Sequence, residues 1–319
     1  MSPPRPTWTV TTADAGTRLD KFLAATDRLG SRSRVAAALE RGKVFIGEDE
    51  AGRADGSRRL REGDVIAIWM DRPGSATRQP GPFRAGSLDI LFEDAALIVL
   101  NKPAGMLSVP LERRAGAESA YGLIEDHLRS SGKRRPLVVH RIDLDTSGLV
   151  IFAKTTRAQD ALKAQFRRRE PERVYRAVVY GHPEPRTGEW RDRVVWDQKA
   201  LIQKETHPGD PRGVEAISRY TVLENFSGAS LIDVRLTTGK RNQIRIQARL
   251  RGHTLVGERR YVYGPEVLRP IEFPRQALHA FRLSFLHPSD NRPLTFEAPL
   301  PPDLIELLAR LRRQKSDRL

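Results

Sequence analysis

The sequence predicts an α+β protein, a large domain with a largely antiparallel mixed sheet flanked by helices, preceded by a small N-terminal module of helices and strands. Three observations predict it. Between Leu88 and Pro301 many short apolar or alternating runs are broken by turns: LDILFED, LIVLNKP, LVVH, GLVIFAK, RVYRAVVYG, ISRYTVLENF, SLIDVRLTT and HAFRLSFLHP. Helical periodicity intervenes only at Tyr121 to Arg129, Thr156 to Arg168 and Asn242 to Arg251, too irregularly for a βαβ wind. The third is the segment 71–87, DRPGSATRQPGPFRAGS, whose prolines and glycines carry no periodicity and read as a linker between two domains.

In chain order, residues 1–16 open on a Pro-rich stretch and are expected to be flexible. The module spans residues 17–70. Thr17 to Ala25, TRLDKFLAA, sets Leu19, Phe22 and Leu23 on one helical face. Ser31 or Ser33 can cap a second helix that stops at Gly42. KVFI, a polar Gly-rich turn and GDVIAIWM then read as two short strands. The larger domain occupies residues 88–301. Residues 302–319, PPDLIELLARLRRQKSDRL, start with Asp303 as a cap and form a helix that packs Leu304, Leu307, Leu308 and Leu311, with a frayed basic tail from Arg312 onward.

Composition limits the function. The chain has 319 residues, of which 39% are hydrophobic, and no stretch approaches the ~20 apolar residues of a membrane span. MSPPRPTWTV has no signal-peptide core, so a cytoplasmic location is expected. With no cysteine, disulfides, thiolate catalysis and iron–sulfur clusters are excluded. Fifty-five Lys plus Arg against 40 Asp plus Glu give a net charge of +15, and arginine outnumbers lysine. A high-GC genome explains arginine in place of lysine; it does not explain the excess of positive charge. A polyanionic partner does.

The most informative segment is HRIDLDTSGLVIFAK, His140 to Lys154. PLVVH before it and LVIFA within it read as strands, while Thr146, Ser147 and Gly148 supply turn chemistry, so Asp143 is a carboxylate held at a turn between apolar strands. On spacing alone this is equally a hairpin whose Asp143 and Asp145 bond their own backbone. The wording of the run separates the two readings: it resembles the HRLDxxTSGLLLxAK signature of the RluA family of pseudouridine synthases, with Ile142 in place of Leu. The resemblance implies the pseudouridine synthase fold, Asp143 as catalytic aspartate and Arg141 as the arginine that helps extrude the target nucleotide.

Other blocks follow in the family's order. IVLNKPAGMLSVP, Ile98 to Pro110, resembles its first motif, a tight loop that shapes the site, with Lys102 expected at the RNA. VYRAVVYG resembles the KxYxALVxG segment, with Arg173 where Lys is usual; the resemblance makes Tyr175 the ring that stacks on the target base and its hydroxyl a candidate proton acceptor. LTTGKRNQIRIQARLRGHTLVGERRYVYG, Leu236 to Gly264, resembles the third motif and makes Arg245 the partner that orients Asp143, with Ile244 an apolar wall for the base. The departures here, Lys240, Arg241, Asn242, Gln247 and Glu258, are polar and expected to bear on RNA contacts. His279 and His287 are expected to be structural. The N-terminal module resembles the small RNA-binding module named after ribosomal small-subunit protein four, which implies a phosphate-facing surface of Arg18, Lys21, Arg32, Arg34, Arg41 and Lys43.

The resemblance therefore implies an isomerase acting on RNA, with ribosomal RNA of the large subunit as the expected partner and transfer RNA the alternative, on a chain expected to be monomeric. The reaction is redox-neutral and loses no group, so no cofactor and no metal are expected. A non-catalytic RNA-binding or ribosome-assembly factor is the second reading, but Asp143, Tyr175 and Arg245 are all present. A metal-dependent nuclease using Asp143 and Asp145 is the third; residues at i and i+2 of an extended strand project to opposite faces, and no third acidic ligand is suggested.

Overall fold

Short alternating runs need partners to become strands, and in both parts of the chain pairing decides which ones do. The computed structural model describes residues 6–40, 43–47, 49–69, 88–111, 117–129, 135–198, 200 and 202–316. The chain divides into two compact units, Met1–Pro82 with Leu91–Asp94 and Phe83–Ile90 with Ala95–Leu319. The linker expected at 71–87 lies outside the described residues.

In the first unit, β1 (Thr7–Thr9) precedes α1 (Leu19–Leu23), α2 (Arg32–Glu40), β2 (Val44–Ile46), β3 (Asp49–Ala51) and β4 (Val65–Ile68). The four strands form one sheet in the order β1-β4-β2-β3. α1 buries Leu19, Phe22 and Leu23, and the Ser31 hydroxyl accepts the Arg34 backbone N–H at 3.3 Å where α2 begins. Two expectations are corrected. Residues 1–16 are not wholly flexible: Thr7, Trp8 and Thr9 pair antiparallel with β4, and Val10 is buried in the core with Leu23, Val35 and Ile66. The link between the two predicted strands is more than a turn, because β3 pairs with β2 and a 3₁₀ helix, Arg53–Ser57, follows it.

After β5 (Ile90–Glu93), the second unit continues with β6 (Leu97–Lys102), α3 (Ala120–Arg129), β7 (Leu137–Val138), β8 (Ser147–Ala153), α4 (Thr156–Arg168), β9 (Glu172–Tyr180), β10 (Thr187–Asp197), β11 (Ile202–Glu205), β12 (Val214–Asn225), β13 (Ala229–Leu236), α5 (Gln243–Leu250), β14 (Leu278–Leu286), β15 (Pro293–Glu297) and α6 (Pro302–Ser316). Its mixed sheet runs β11-β10-β12-β13-β9-β14-β8-β6, with β15 beside β14 and β7 beside β8. Among the described residues its pairings are antiparallel except β8 against β14, which is parallel. The predicted α+β architecture is the observed one.

β8 reads SGLVIFA and is buried at every position, as a strand covered on both faces must be. α4 begins where the Thr155 hydroxyl accepts the Ala158 N–H at 3.2 Å. α6 packs Leu304, Leu307, Leu308 and Leu311 against Val178 and Phe226. Its end is less frayed than expected: the helix runs to Ser316, and Arg312 reaches Glu224 at 2.7 Å.

Gly148, where the turn after Asp143 enters β8, has φ +109, and a Cβ there would collide with the Ala280 backbone. β8 can lie against β14 only because that side chain is missing. Gly148→Ala is expected to cost about 3 kcal/mol or more, adding backbone strain to overpacking. Denaturant unfolding checks this; an unchanged midpoint would show that β14 yields freely.

Candidate active site

The turn carrying Asp143 is fixed through its backbone on both sides. Before it, the Ser108 hydroxyl donates to Ile142 O at 2.8 Å and accepts the Ile142 N–H at 3.2 Å. After it, Leu144 O accepts from Lys102 Nζ and from the Gly105 N–H, each at 3.0 Å. Thr146 N–H closes the turn on Asp143 O at 3.1 Å, and Arg275 Nη1 donates to Asp145 O at 3.0 Å. Arg275 is itself held by Asp303 at 2.7 Å, and Asp303, inside the first turn of α6, also accepts the Leu304 N–H at 2.8 Å, so it is an ion-pair partner as well as a bond to the helix start. The turn is thus anchored through its backbone, while the Asp143 side chain keeps 26% of its surface exposed.

α5 presents Arg245 to this carboxylate. Nη1 of Arg245 lies 3.4 Å from Asp143 Oδ2 and 3.0 Å from Asn242 Oδ1. Its stronger partner is Glu258, which takes Nε at 2.6 Å and Nη2 at 2.8 Å in a two-pronged pair. Glu258 Oε1 also accepts the backbone N–H groups of Arg259 at 2.9 Å and Arg260 at 2.8 Å. Burial opposes both charges, but the mutual hydrogen bond and attraction outweigh it, raising the Arg245 pKa and lowering that of Glu258. Arg245 is thus clamped by Glu258 and offers its remaining edge to Asp143.

Asp143, Tyr175, Ile244 and Arg245 line one cavity of about 360 Å³, together with the exposed Arg141. Ligand sites of this size are usual for a single small group. β9 supplies Tyr175. Burial pushes its hydroxyl up to about 12 against the pull of Arg173, with the charge of Asp143 adding to the rise. The phenol therefore stays protonated at neutral pH, which leaves it a donor and a ring surface there.

Several expected RNA contacts lie elsewhere. Lys102 is fully buried, with Nζ donating to Pro103 O and Met106 O, both at 2.7 Å, as well as to Leu144 O. Burial lowers its pKa to about 7, yet three carbonyl acceptors match the three N–H groups of the ammonium form. Lys102 is an internal tether for the Asp143 turn, not the surface contact expected of it. Lys43, just before β2, is also buried. Arg18 closes on Asp20 at 2.8 Å, whereas Lys21, Arg32 and Arg34 are exposed. Arg41 lies outside the described residues.

Two departures expected at the RNA are internal. Gln247 is fully buried, donating to Trp190 O, Asp192 Oδ2 and Ala216 O and accepting from Ser218. Glu258 is the clamp already described, missed because its partner lies 13 residues away and only the loop after α5 brings them together. Ser108 and Arg275 were missed for the same reason. His279 is structural as expected, bridging Ser147 at 2.9 Å and Ala298 O at 3.1 Å, and burial lowers its pKa to about 4.

Comparison with known proteins matches this site to one family. The RNA pseudouridylate synthase family model matches residues 96–250, a span that includes Asp143, Tyr175 and Arg245. The chain is 34% identical over 299 residues to a Bacillus subtilis protein named Uncharacterized RNA pseudouridine synthase YlyB, covering 93% of this chain and 94% of that one. It is 34% identical over 315 residues to Ribosomal large subunit pseudouridine synthase D of Zymomonas mobilis, again covering 93% and 94%. Among solved structures, Human RNA Pseudouridylate Synthase Domain Containing 4 shares the fold at TM-score 0.58 and 19% identity, covering 70% of this chain and 92% of that one.

Proposed function

The chain belongs to the RNA pseudouridylate synthase family and isomerises uridine to pseudouridine in RNA, and we propose that it acts on large-subunit ribosomal RNA with Asp143 as the catalytic carboxylate. One observation carries the assignment of Asp143: it is the carboxylate on a backbone-anchored turn at the wall of a cavity whose other walls include Arg245 and the ring of Tyr175. The ribosomal target is supported by the name of the Zymomonas mobilis relative, which is alike over nearly its whole length.

The reaction breaks the bond from ribose to a base nitrogen and remakes it to a base carbon. The enzyme must supply a nucleophile or base, keep water from the intermediate and hold the detached base while it turns. Asp143 supplies the first, and its anchored turn keeps it in place throughout. Arg245, fixed by Glu258, orients the carboxylate without closing on it. Tyr175 offers a face for the base, with Ile244 as apolar wall, and exposed Arg141 is placed to fill the space the flipped nucleotide leaves in the RNA. Redox-neutral rearrangement within one nucleoside needs no cofactor.

The exposed Lys21 of α1 and Arg32 and Arg34 at the start of α2 give the small module a surface for RNA phosphates. Among the described residues no helix is long and apolar enough to cross a membrane, and a ribosomal substrate implies action in the cytoplasm. Mapping pseudouridine at nucleotide resolution in RNA from cells with and without this protein is the test. One or more uridines of large-subunit ribosomal RNA are expected to lose the modification. Loss confined to transfer RNA would overturn the ribosomal target.

A further inference from the structure

Among the described residues Arg173 has no counterion, in a setting that should not tolerate a bare charge. It stands on β9 two residues before Tyr175, with its guanidinium 5.6 Å from the Phe166 ring and against the backbone of Gly239, where a Cβ would collide with Nη1. Its Nε is buried and has no hydrogen-bond partner. Burial lowers its pKa, and the group that favours its charge is Tyr175, itself neutral. A buried cation is normally paired, because desolvation otherwise goes uncompensated.

Around it lies a cavity of about 610 Å³ lined by six cations, Arg141, Lys163, Arg167, Arg169, Arg173 and Lys240, and by no carboxylate. Among the described residues none of the six forms an ion pair, while arginines close by do: Arg168 pairs with Glu170 and Arg176 with Asp233. His140, also on the wall, stays neutral because burial lowers its pKa to about 3. Arg167 and Arg169 sit at the end of α4, where the helix dipole favours positive charge, so they alone would prove little. That explanation does not reach Arg173 on β9, Arg141 before the catalytic turn or Lys240 after β13. Arg169 moreover has φ +60, a conformation glycine adopts more easily.

This cavity shares Arg141, Tyr175, Leu236, Gly239 and Lys240 with the one that holds Asp143. We propose that it is a phosphate subsite, taking the backbone phosphodiester that flanks the target uridine, with the guanidinium of Arg173 as its inner ligand beside the base-stacking ring. The proposal rests on the reading that the uridine enters the Asp143 cavity. A phosphate supplies what Arg173 lacks, since two parallel N–H groups fit two of its oxygens. The desolvation of Arg173 is met in folding, so RNA binding gains the ion pair at a site already arranged for it.

The test uses the full chain and UpUpU, alongside two analogues in which one or other phosphodiester is a neutral methylphosphonate. One of the two analogues is expected to bind the wild type about tenfold more weakly. Arg173→Gln should lose about tenfold on UpUpU and nothing further on that analogue, whereas Arg219→Gln, at an exposed arginine paired with Glu189, should behave as wild type. Thermal unfolding of Arg173→Gln should be unchanged or raised, because no counterion is left behind; a large fall would mark Arg173 as structural and overturn the proposal. Equal binding of UpUpU and both analogues, or losses that simply add, would also overturn it. Asp143→Asn should keep the same phosphate preference, so a failure of the catalytic reading is told apart from a failure of the subsite.

Discussion

Asp143→Asn is expected to reduce pseudouridine formation by at least about 10⁴-fold while RNA affinity stays within about threefold, as for other enzymes that lose their reacting group. The geometry separates the two effects. The amide has the size of the carboxylate but neither its charge nor its nucleophilicity, so the reaction loses its reacting group. The turn stays where it is, because Ser108, Lys102, Gly105 and Arg275 hold the backbone of Ile142, Leu144 and Asp145 and none of them bonds the Asp143 side chain. Arg245 also keeps its place, since Glu258 grips it at 2.6 and 2.8 Å while the contact to Asp143 is 3.4 Å and partly exposed. Stability should therefore change by less than about 1 kcal/mol, the range of a solvent-accessible pair. Single-turnover formation of pseudouridine and equilibrium binding of the same RNA check both halves. Turnover surviving the substitution would remove Asp143 from the chemistry.

What the sequence made legible was local. The apolar run of β8 and the helix from Thr156 to Arg168 each lie within a few residues, and the structure shows both where the pattern put them, whereas the turn falls at Leu144 and Asp145, so that Ser147 and Gly148, read as turn, already belong to β8. β10 was not legible because TGEWRDRVVWD carries too few apolar positions to declare itself; only pairing with β12 on one side and β11 on the other makes it a strand. The same holds for β1, which becomes ordered by adding to the edge of β4. Charged side chains were the hardest to place. Lys102 reads as an RNA contact until three carbonyls from two separate loops surround it, and Gln247 and Glu258 read as surface polar residues until the folded chain encloses them. Partners distant in sequence fix these roles, and one chain read alone does not display them.

Glu258→Gln should be the most damaging substitution that touches no reacting atom. Glutamine fills the same space and can still accept from the backbone of Arg259 and Arg260, but it sets an N–H₂ against the Arg245 guanidinium and removes the charge that balances it. The pair is deeply enclosed, with 10% of the Arg245 side chain and none of the Glu258 side chain exposed. Breaking such a pair from one side costs about 3–5 kcal/mol. Left with Asp143 as its carboxylate, Arg245 should close on it, turning the reacting oxygen into a tight ion-pair partner, and kcat should fall about 100-fold with KM little changed. Glu258→Asp keeps the charge, so it should recover activity to within about threefold. The sign of the pH effect follows from the lowered pKa of Glu258: its stabilisation is complete above the ordinary glutamate value of 4.5 and is lost as pH falls through its lower folded value. The wild type should accordingly lose stability more steeply on acidification than Glu258→Gln, which has no proton to take up there. Unfolding midpoints measured from pH 7 down to about 3, beside kcat for the two variants, test the clamp. A Glu258→Gln protein with wild-type midpoint and kcat would mean that Asn242 alone is enough to aim Arg245.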